Sequence, residues 1–448
     1  MSINRVEGTS DLFGADMRAL ASFSDIAREV FRACGYEYAE TPILEQTDLF
    51  VRGLGEASDV VNKEMYTALS GGNMTKLMSG EKVSSKSKLT LRPEGTAGLA
   101  RAIVQNHLVE QYSQPGRFFY IGPMFRAERP QKGRMRQFYQ AGAECIGSSD
   151  PFLDAQMIAM AQDFILKFCG MDTSQLNLEL NSIGCEKCRS EYRKLLVEFE
   201  HSHTDSLCET CNERSNINPL RAFDCKKDGC KQVMNQAPKI TEHLCSDCAS
   251  HFEQVKELLT KLGVKYMINP MLVRGLDYYT RTVFEFSAIS GLGSQNALCG
   301  GGRYDKLIEE LGGKSLPALG FAAGFERMKL AAESCGRKFS KNKKPLYFIV
   351  TLCEEARNIA RDLIIESANL DCARMEMDYR DSEDPNALAR SAKSQFKLAD
   401  KLDANYVIAI GEDELTTNEV LIRDMTTHSE QNATLEDVID HIKHSKGE

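Results

Sequence analysis

The run Phe125-Arg126-Ala127-Glu128-Arg129-Pro130-Gln131-Lys132-Gly133-Arg134-Met135-Arg136 carries five basic side chains and one acid. Pro130 and Gly133 favour a turn in its middle. The segments on either side, residues 117–121 and 138–146, have the composition of strands. The run therefore predicts a strand, a basic turn and a returning strand.

The basic turn is suited to phosphate oxygens, because an arginine presents a planar fork and keeps its charge. A solvated hairpin tip is the alternative interpretation. Two common phosphate motifs are absent from the sequence. Gly313-Lys314-Ser315 has the end of a P-loop, but Ile308 stands where its first glycine should be. The run Gly300-Gly301-Gly302 predicts only tight turns or a close backbone approach.

More strands and a helix are predicted on both sides of the hairpin. An amphipathic helix is expected over residues 17–34, ended by Gly35. Residues 70–88, rich in Gly, Ser, Lys and Met, are expected to form a mobile loop. Because short turns separate the strands, a mostly antiparallel sheet is predicted. The additional strands are residues 89–91, 176–180, 282–286 and 318–321.

The C-terminal part of the chain differs in charge and in pattern. Residues 345–448 hold 11 Lys and Arg against 22 Asp and Glu, although the whole chain carries a net charge of only −9. This contrast predicts a domain boundary after the basic stretch 337–345. Strands at 345–352, 405–410 and 419–424 and helices at 355–368 and 387–402 predict a small α/β domain.

The chain of 448 residues contains 15 cysteines. No apolar run approaches the length of a membrane span, and no secretory signal precedes the first helix. We therefore expect a cytoplasmic protein with reduced thiols or metal sites and no membrane partner. Eight cysteines form four close pairs, and these are Cys185/Cys188, Cys208/Cys211, Cys225/Cys230 and Cys245/Cys248.

The motifs resemble those of one enzyme family. Residues 125–128 with the basic turn resemble motif 2 of class II aminoacyl-tRNA synthetases, residues 318–327 resemble motif 3, and the helix at 17–34 resembles motif 1. Residues 272–282 (LVRGLDYYTRT) and 298–305 (LCGGGRYD) are similar to the two histidine-specific signatures of histidyl-tRNA synthetases. Further similarity lies at residues 6–11 and 91–96, and in the tail at 399–401 and 411–414.

The resemblance implies an α+β fold. It combines the antiparallel class II synthetase sheet and its flanking helices with an inserted small module and a C-terminal α/β anticodon-binding domain. The expected boundaries are 1–180 and 259–335 for the two parts of the catalytic domain, 181–258 for the cysteine-rich insertion, 336–344 for a linker and 345–448 for the anticodon-binding domain.

The resemblance also implies a reaction. Histidine and ATP, with Mg²⁺, would form histidyl-adenylate and pyrophosphate, and the histidyl group would pass to the 3′ end of tRNA(His) with release of AMP. A homodimer formed through the motif 1 region is expected. One alternative is the non-catalytic, synthetase-like regulatory subunit of histidine biosynthesis, which lacks a tail like residues 345–448. Another is a class II synthetase for a different amino acid.

Three arginines are the catalytic residues that the resemblance implies. Arg126 would hold the α-phosphate of ATP, Arg327 would contact the γ-phosphate and one face of adenine, and Arg274 would bridge the histidine carboxylate and the α-phosphate. Phe138 would cover the other face of adenine, and Glu128 would accept from its amino group. The complete expected ATP set is Arg126, Glu128, Arg134, Phe138 and Arg327.

Histidine selection needs hydrogen-bond partners at both ends of the imidazole. The resemblance implies Glu144 and Tyr279 as those partners, with Tyr304 closing the pocket. A satisfied core tyrosine is the alternative for Tyr279. The complete expected histidine set is Glu94, Thr96 and Gln140 for the α-ammonium, together with Glu144, Arg274, Tyr278, Tyr279 and Tyr304.

Contacts to tRNA are implied at two places. Arg129 and Gln131 lie at the tip of the basic turn, which in the family reads the acceptor end. Four cations are expected on one helix face of the tail, either for the RNA backbone or as a solvated face, and these are Arg390, Lys393, Lys397 and Lys401. The eight paired cysteines suit two Cys₄ zinc sites, or alternatively a small module with reduced thiols that contacts tRNA.

Overall fold

The computed structural model describes residues 3–55, 58–111, 115–293, 296–339, 344–368, 373–380 and 390–444. The chain divides into two compact units, Met1–Phe339 and Ser340–Glu448. Among the described residues, no helix combines the length and the apolar character needed to cross a bilayer.

The strands of the first unit are numbered in chain order. They are β1 (Glu37–Tyr38), β2 (Leu44–Gln46), β3 (Tyr66–Ala68), β4 (Leu89–Leu91), β5 (Gly116–Phe125), β6 (Gln137–Ile146), β7 (Leu176–Ser182), β8 (Met267–Ile268), β9 (Thr280–Ala288), β10 (Ala297–Arg303) and β11 (Ala318–Gly324). Its helices are α1 (Ala15–Ala33), α2 (Thr47–Leu54), α3 (Gly71–Met78), α4 (Thr96–Gln105), α5 (Leu108–Gln111), α6 (Pro151–Cys169), α7 (Glu186–His201), α8 (Glu209–Arg214), α9 (Asp228–Met234), α10 (Ser246–Lys261), α11 (Leu307–Glu310) and α12 (Phe325–Ser334).

Eight strands form the main sheet, in the order β1-β5-β6-β11-β10-β9-β7-β8. All neighbouring pairs are antiparallel except those of the two short edge strands. Strand β1 is parallel to β5, and β8 is parallel to β7. The predicted antiparallel sheet is therefore confirmed. Leu89–Leu91 is an exception, because it pairs with β2 and β3 in a separate three-stranded sheet.

Helices α1 and α6 cover one face of the main sheet. The predicted helix at 17–34 is present as α1, and it buries one stripe of its residues. Phe23 and Phe31 of this stripe pack edge-on against Phe168 and Phe164 of α6, respectively, with ring centroids 5.2 Å apart in each pair. This aromatic packing buries one face of the sheet. Polar side chains can therefore collect on the opposite face.

The prediction of a loop over residues 70–88 is wrong in part. Residues Gly71–Met78 form α3, and Ser85–Ser87 form a short 3₁₀ turn. The Ser70 hydroxyl accepts from the Asn73 backbone N–H at 3.5 Å at the start of α3. This helix buries none of its residues. The apolar residues of α3 therefore follow no clear helical pattern, and the surrounding glycines and serines favoured the prediction of a loop.

A module of short helices is inserted between β7 and β8. It has its own small core, formed around Tyr192, Leu196 and Met234. The exit helix α10 crosses the predicted boundary at residue 258, because Phe252, Val255 and Leu259 belong to the core beneath the main sheet. The module therefore shares its last helix with the core of the main sheet.

The second unit is a five-stranded sheet with helices. Its strands are β12 (Leu346–Thr351), β13 (Arg374–Met377), β14 (Tyr406–Ile410), β15 (Glu419–Asp424) and β16 (Glu430–Thr434), in the order β13-β12-β14-β15-β16. Its helices are α13 (Glu354–Ser367), α14 (Ala392–Lys401), α15 (Glu412–Thr417) and α16 (Asp437–His444). The predicted helix over 387–402 is shorter in the structure, and residues 381–389 lie outside the described part.

Candidate active site

The basic run 125–136 lies between β5 and β6, whose register pairs Phe125 with Gln137. The tip is closed by two backbone hydrogen bonds between Gln131 and Arg134, of 3.0 and 2.8 Å. Gly133 has φ +76°, a conformation that glycine adopts without strain. The hairpin thus directs Arg126 and Arg134 toward the cavity on the polar face of the sheet.

A cavity on this face collects nearly all of the predicted substrate residues. It lies above β6, β9, β10 and β11, at the base of the basic hairpin. Glu144 is the one exception, because it lies behind the cavity wall and does not line it. The predicted residues that line the cavity are Glu94, Thr96, Arg126, Glu128, Arg134, Phe138, Gln140, Arg274, Tyr278, Tyr279, Tyr304 and Arg327.

Each of the cavity arginines contacts an acid or a carbonyl group. Arg134 pairs with Glu128 at 2.8 Å, and Arg126 lies 3.8 Å from the same carboxylate. Arg274 forms a close ion pair with Glu285. Arg327 donates to the carbonyl oxygens of Gly133 and Ala297, at 3.2 and 3.1 Å. The anionic groups of a substrate would therefore replace these acids and carbonyl groups as the partners of the arginines.

The aromatic ring of Phe138 is a neighbour of Arg126 in the cavity. The Arg126 guanidinium carbon lies 5.3 Å from the centroid of this ring. Arg126 also donates from Nε to the Pro93 carbonyl oxygen at 3.0 Å. A flat base between Phe138 and Arg327 would therefore lie beside Arg126, which is over the same ring.

Glu94 organises the start of α4. Its two carboxylate oxygens accept from the backbone N–H groups of Thr96 and Ala97, at 2.7 and 2.9 Å. Burial raises the pKa of Glu94, and these two hydrogen bonds oppose the shift. The Thr96 hydroxyl donates to Glu144 at 2.7 Å. This chain of contacts fixes α4 beside the cavity.

Glu144 is buried on β6 and accepts from the hydroxyl groups of Thr96 and Tyr304. Burial raises its pKa to about 8, although both hydrogen bonds act in the opposite direction. Gly320 lies directly across from it on β11, where a Cβ atom would collide with the carboxylate. A glycine at this position is therefore what gives Glu144 its space.

Two buried polar atoms in the cavity have no hydrogen-bond partner among the described residues. They are Gln140 Oε1, an acceptor, and Arg274 Nε, a donor. Unpaired buried polar atoms are costly and rare in folded proteins. An acceptor and a donor left open in one cavity suit a ligand with both a cationic and an anionic group.

Comparison with known proteins identifies the family. A family model described as histidyl-tRNA synthetase matches residues 8–328, and one described as an anticodon binding domain matches residues 368–445. The chain belongs to the histidyl-tRNA synthetase family. Histidine–tRNA ligases of Halothermothrix orenii and Desulforamulus reducens are 42% and 41% identical over 446 and 443 residues, with 99% of each chain covered. The structure of apo S. aureus histidyl-tRNA synthetase is 32% identical, covers 99% of this chain and 100% of that chain, and has a TM-score of 0.79.

Membership in the histidyl-tRNA synthetase family confirms the predicted α+β class II fold. It also makes the chain an enzyme of the aminoacyl-tRNA synthetase class, whose members use ATP and magnesium. The anticodon binding domain coincides with the second unit, apart from its first strand and helix. The individual roles of the cavity residues remain predictions.

Several residues at the site of this family member were missed from the sequence. Glu285 is the ion-pair partner of Arg274, and Glu326 accepts from the Tyr139 backbone N–H at 3.1 Å. A single acid in the apolar strand Thr280–Ala288 was a detectable signal. The run Gly300–Gly302 was predicted to mark a tight turn or a close backbone approach, and a Cβ atom at Gly300 would collide with the Arg274 guanidinium, although the sequence did not indicate which group approaches.

The predicted tRNA residues fall into two groups in the structure. Arg129 and Gln131 lie at the hairpin tip, as expected from the turn residues between them. Lys393, Lys397 and Lys401 are exposed on one face of α14. Arg390 does not belong to that helix, because α14 begins two residues later, and its carbonyl oxygen accepts from the Gln395 side chain at 2.7 Å.

The eight paired cysteines form two clusters. The proximal cluster consists of Cys185, Cys188, Cys245 and Cys248, and the distal cluster of Cys208, Cys211, Cys225 and Cys230. Within each cluster the four sulfur atoms all lie within 4.8 Å of one another, so each cluster could hold a metal ion. Neither cluster is a disulfide, because the described cysteines are free thiols.

Proposed function

We propose that this chain activates L-histidine with ATP and transfers the histidyl group to the 3′ end of tRNA(His), releasing AMP and pyrophosphate. The observation that carries the proposal is the single cavity lined by the basic hairpin, both histidine signatures and motif 3. The open atoms Gln140 Oε1 and Arg274 Nε support an amino acid as its occupant.

In the first step, a carboxylate oxygen of histidine attacks the α-phosphorus of ATP. The bond from that phosphorus to the bridging oxygen breaks, and pyrophosphate leaves with its electron pair. Arg126 binds the α-phosphate, and Arg274 joins that phosphate to the attacking carboxylate. Each cation would leave its internal partner, Glu128 or Glu285, as the substrates enter. Such positioned charge is the main source of catalysis in phosphoryl and nucleotidyl transfer.

ATP is held by residues of the hairpin and of motif 3. Phe138 and Arg327 take the two faces of adenine, and Glu128 accepts from its amino group. Arg134 and Arg327 face the outer phosphates. The magnesium that accompanies ATP supplies charge neutralisation of those phosphates.

Histidine is recognised through its two ends. The α-ammonium binds Gln140, supported by Glu94 and Thr96. The imidazole binds Tyr279, with Tyr278 and Tyr304 closing the pocket, and it reaches Glu144 by displacing the Thr96 and Tyr304 hydroxyl groups that this carboxylate accepts from. The rings of Tyr278 and Tyr304 lie 5.4 Å apart, so they form one continuous aromatic wall. An amino acid without two polar imidazole atoms would leave these partners unpaired, and this penalises it.

Histidine-dependent exchange of pyrophosphate into ATP tests this function. We expect exchange with histidine and none with the other amino acids. Exchange with another amino acid would favour a class II synthetase of different specificity. No exchange in folded protein would favour the regulatory-subunit alternative, which the full-length similarity to histidine–tRNA ligases makes the weaker hypothesis.

We also propose how tRNA binds. Arg129 and Gln131 at the hairpin tip reach the acceptor end, which brings its terminal ribose to the cavity. Lys393, Lys397 and Lys401 contact the backbone near the anticodon, with Arg390 beside them. Phosphate contacts of this kind weaken as salt rises, because bound counterions are released.

The remaining proposals concern assembly and setting. A homodimer through the motif 1 region is supported by exposed apolar residues near the β1 edge, namely Tyr38, Ile43 and Leu44. Light scattering of the full chain tests this assembly. We keep the boundaries 1–180, 181–258, 259–335, 336–344 and 345–448 as domain limits, and we propose a cytoplasmic location.

Each cysteine cluster is proposed to bind one structural Zn²⁺. Sulfur atoms in a tetrahedron about 2.3 Å from zinc lie about 3.8 Å apart. The Sγ atoms of Cys185 and Cys188 are 3.7 Å apart, those of Cys185 and Cys245 are 3.9 Å apart, and those of Cys208 and Cys225 are 3.9 Å apart. Metal analysis of protein purified without chelator should give two zinc ions per chain, and a value below about a tenth of an equivalent would end the proposal.

A further inference from the structure

The cysteine module touches the loop that carries the first histidine signature, residues 272–279. Arg221 donates from Nη2 to the Gly275 carbonyl oxygen at 2.6 Å and to Asp277 Oδ1 at 3.2 Å. Asn218 donates from Nδ2 to the same Asp277 oxygen at 2.9 Å. The loop residue Asp277 therefore receives two side chains from the module, and Arg274 lies three residues before it.

The two ends of the loop are anchored in the core by Leu272, Tyr278 and Tyr279, whereas its middle, residues 273–277, is held chiefly by these polar contacts. A second cavity separates it from the module and is lined by Ile217, Arg221, Leu276 and Tyr279, among others. The Asp277 side chain is 25% exposed, whereas Arg221 is only 8% exposed. A largely desolvated carboxylate that lost its cation would be destabilised in this position, so the loop would move.

Asn218 and Arg221 are themselves held by the distal cluster. Both lie between Cys211 and Cys225, and the 3₁₀ turn Pro219–Asp224 that carries Arg221 ends directly at Cys225. The core around this turn is small, and its members include Cys211 and Cys230. A small core of this kind needs a metal or another cross-link to hold a fixed shape.

We propose that a metal ion in the distal cluster holds Asn218 and Arg221 against Asp277, and that these two residues position the histidine-binding loop. The module would then act on the amino-acid site through the loop and not only on tRNA. This inference rests on the proposed function and on the zinc proposal. Arg221 and Asn218 touch no substrate and are positioning residues.

The proposal predicts a selective effect on histidine. If the binding-competent loop becomes a minor conformation, the apparent affinity falls by its population. We expect Arg221→Ala to raise the KM for histidine about tenfold. The KM for ATP should change less than the KM for histidine, because adenine is held by β6 and α12 and the loop contributes only Arg274 to the α-phosphate. Asn218→Ala should act in the same direction, more weakly, because an amide carries no charge.

The experiment uses the full chain and four measurements. These are zinc per chain, the KM for histidine, the KM for ATP, and hydrogen exchange of the 272–279 peptide, which reports on the loop without catalysis. A double variant, Cys208→Ser with Cys225→Ser, removes the distal cluster. Lys231→Ala is the control within the module, because Lys231 pairs only locally with Asp228, at 3.2 Å. Cys353→Ser is the cysteine control outside both clusters.

The expected result has three parts. Arg221→Ala keeps two zinc ions per chain, but its loop exchanges faster and its KM for histidine rises. The double cysteine variant loses one zinc ion and shows the same two changes. Adding Arg221→Ala to it changes the KM little further, because both act through one contact. Both controls behave as the unmodified chain.

Different failures have different meanings. Arg221→Ala with unchanged loop exchange and an unchanged KM for histidine overturns the inference. So does a double cysteine variant that loses zinc but keeps normal loop exchange. If that variant does not fold, Asn218→Ala and Arg221→Ala decide the matter with all cysteines intact. An unmodified chain that holds two zinc ions but catalyses no exchange refutes the proposed function instead, and the hydrogen-exchange data still judge the loop.

Discussion

The substrate cavity and the cysteine module assemble their functional groups in opposite ways. The cavity lies on a large sheet, and the fold brings together Gln140 of β6, Arg274 of the loop before β9 and Arg327 of α12 from distant parts of the sequence. Its cations are paired with acids or carbonyl groups before any substrate arrives. The module contains short helices around a small core, and its eight thiols are gathered in two clusters.

The difference concerns what holds each region in shape. The cavity is held in shape by packing and by internal ion pairs, so it exists before a ligand binds. The module combines little apolar burial with two sets of thiols at the spacing of a tetrahedral metal site. Its shape is therefore expected to depend on a bound ion. The following predictions test this contrast, beginning with the largest effect.

Removing one cavity arginine should abolish chemistry and leave the fold intact. We expect Arg274→Ala to slow histidine-dependent exchange by about 100- to 1,000-fold, because a preorganised cation would be missing where charge develops. The sheet around it is buried independently of Arg274, so the thermal unfolding profile should change little. Arg274→Lys keeps the charge but loses the planar fork, and it should recover only part of the rate. Near-normal exchange in Arg274→Ala would show that the arginine is misassigned.

Removing metal should affect the module first. After treatment with a strong chelator, we expect proteolytic cleavage within residues 202–243 to accelerate about tenfold or more, because the bound ion no longer contributes to local stability. Cleavage within β5, β6 and β11 should stay slow. Added zinc should restore protection, whereas added magnesium should not. Equal loss of protection in both regions would contradict the contrast drawn here.

Two buried glutamates allow a pH comparison between the regions. Burial raises the pKa of Glu144 in the cavity wall and of Glu200 in the module to about 8. Both Glu200 oxygens lack a hydrogen-bond partner among the described residues. A carboxyl group with a raised folded-state pKa favours the protonated form, so its stabilising contribution is complete below about pH 4.5 and is lost as pH rises to about 8.

Glu200→Gln should therefore flatten the pH dependence of stability. The midpoint of thermal unfolding of the unmodified chain should fall by a few degrees between pH 6 and 8, relative to the variant. Glu198→Gln, on the same helix, is the control, because the Glu198 side chain is exposed to solvent. Parallel curves for the unmodified chain and Glu200→Gln would refute the raised pKa.

Surface cations, which belong to neither region, should matter least. Replacing Lys393, Lys397 and Lys401 with alanine should raise the KM for tRNA by about two- to fivefold and reduce its salt dependence. Pyrophosphate exchange should not change, because it requires no tRNA. A change in exchange would show that α14 influences the cavity. An unchanged KM for tRNA would support the solvated-face interpretation.

Much of the fold was predictable because the decisive segments are strongly patterned. The hairpin around residues 125–136 and the helix α1 follow from turn residues and from apolar spacing. Other elements carried weaker signals. Strand β16 is polar along most of its length, and β13 is only four residues long, so neither stood out from a loop.

The cavity residues were predictable in identity but less so in their contacts. Family motifs indicated Arg274 and Glu144, whereas the ion pair of Arg274 with Glu285 depends on strand register that no local pattern encodes. The cysteine spacing predicted two sets of four but not which pairs combine. The combination depends on how the starts of α7 and α10 meet, and it joins the first cysteine pair to the fourth. The second and third pairs lie between them in the sequence and form the other cluster.

The proximal cluster has a consequence for how this chain is built. Cys185 and Cys245 bring the two ends of residues 189–244 to one point, with sulfur atoms 3.9 Å apart. An insert whose ends meet can be lengthened, shortened or exchanged without altering the spacing of the strands that flank it. The cluster thus closes the insert at its base. At this point the synthetase sheet could acquire a different accessory domain while its own architecture stays the same.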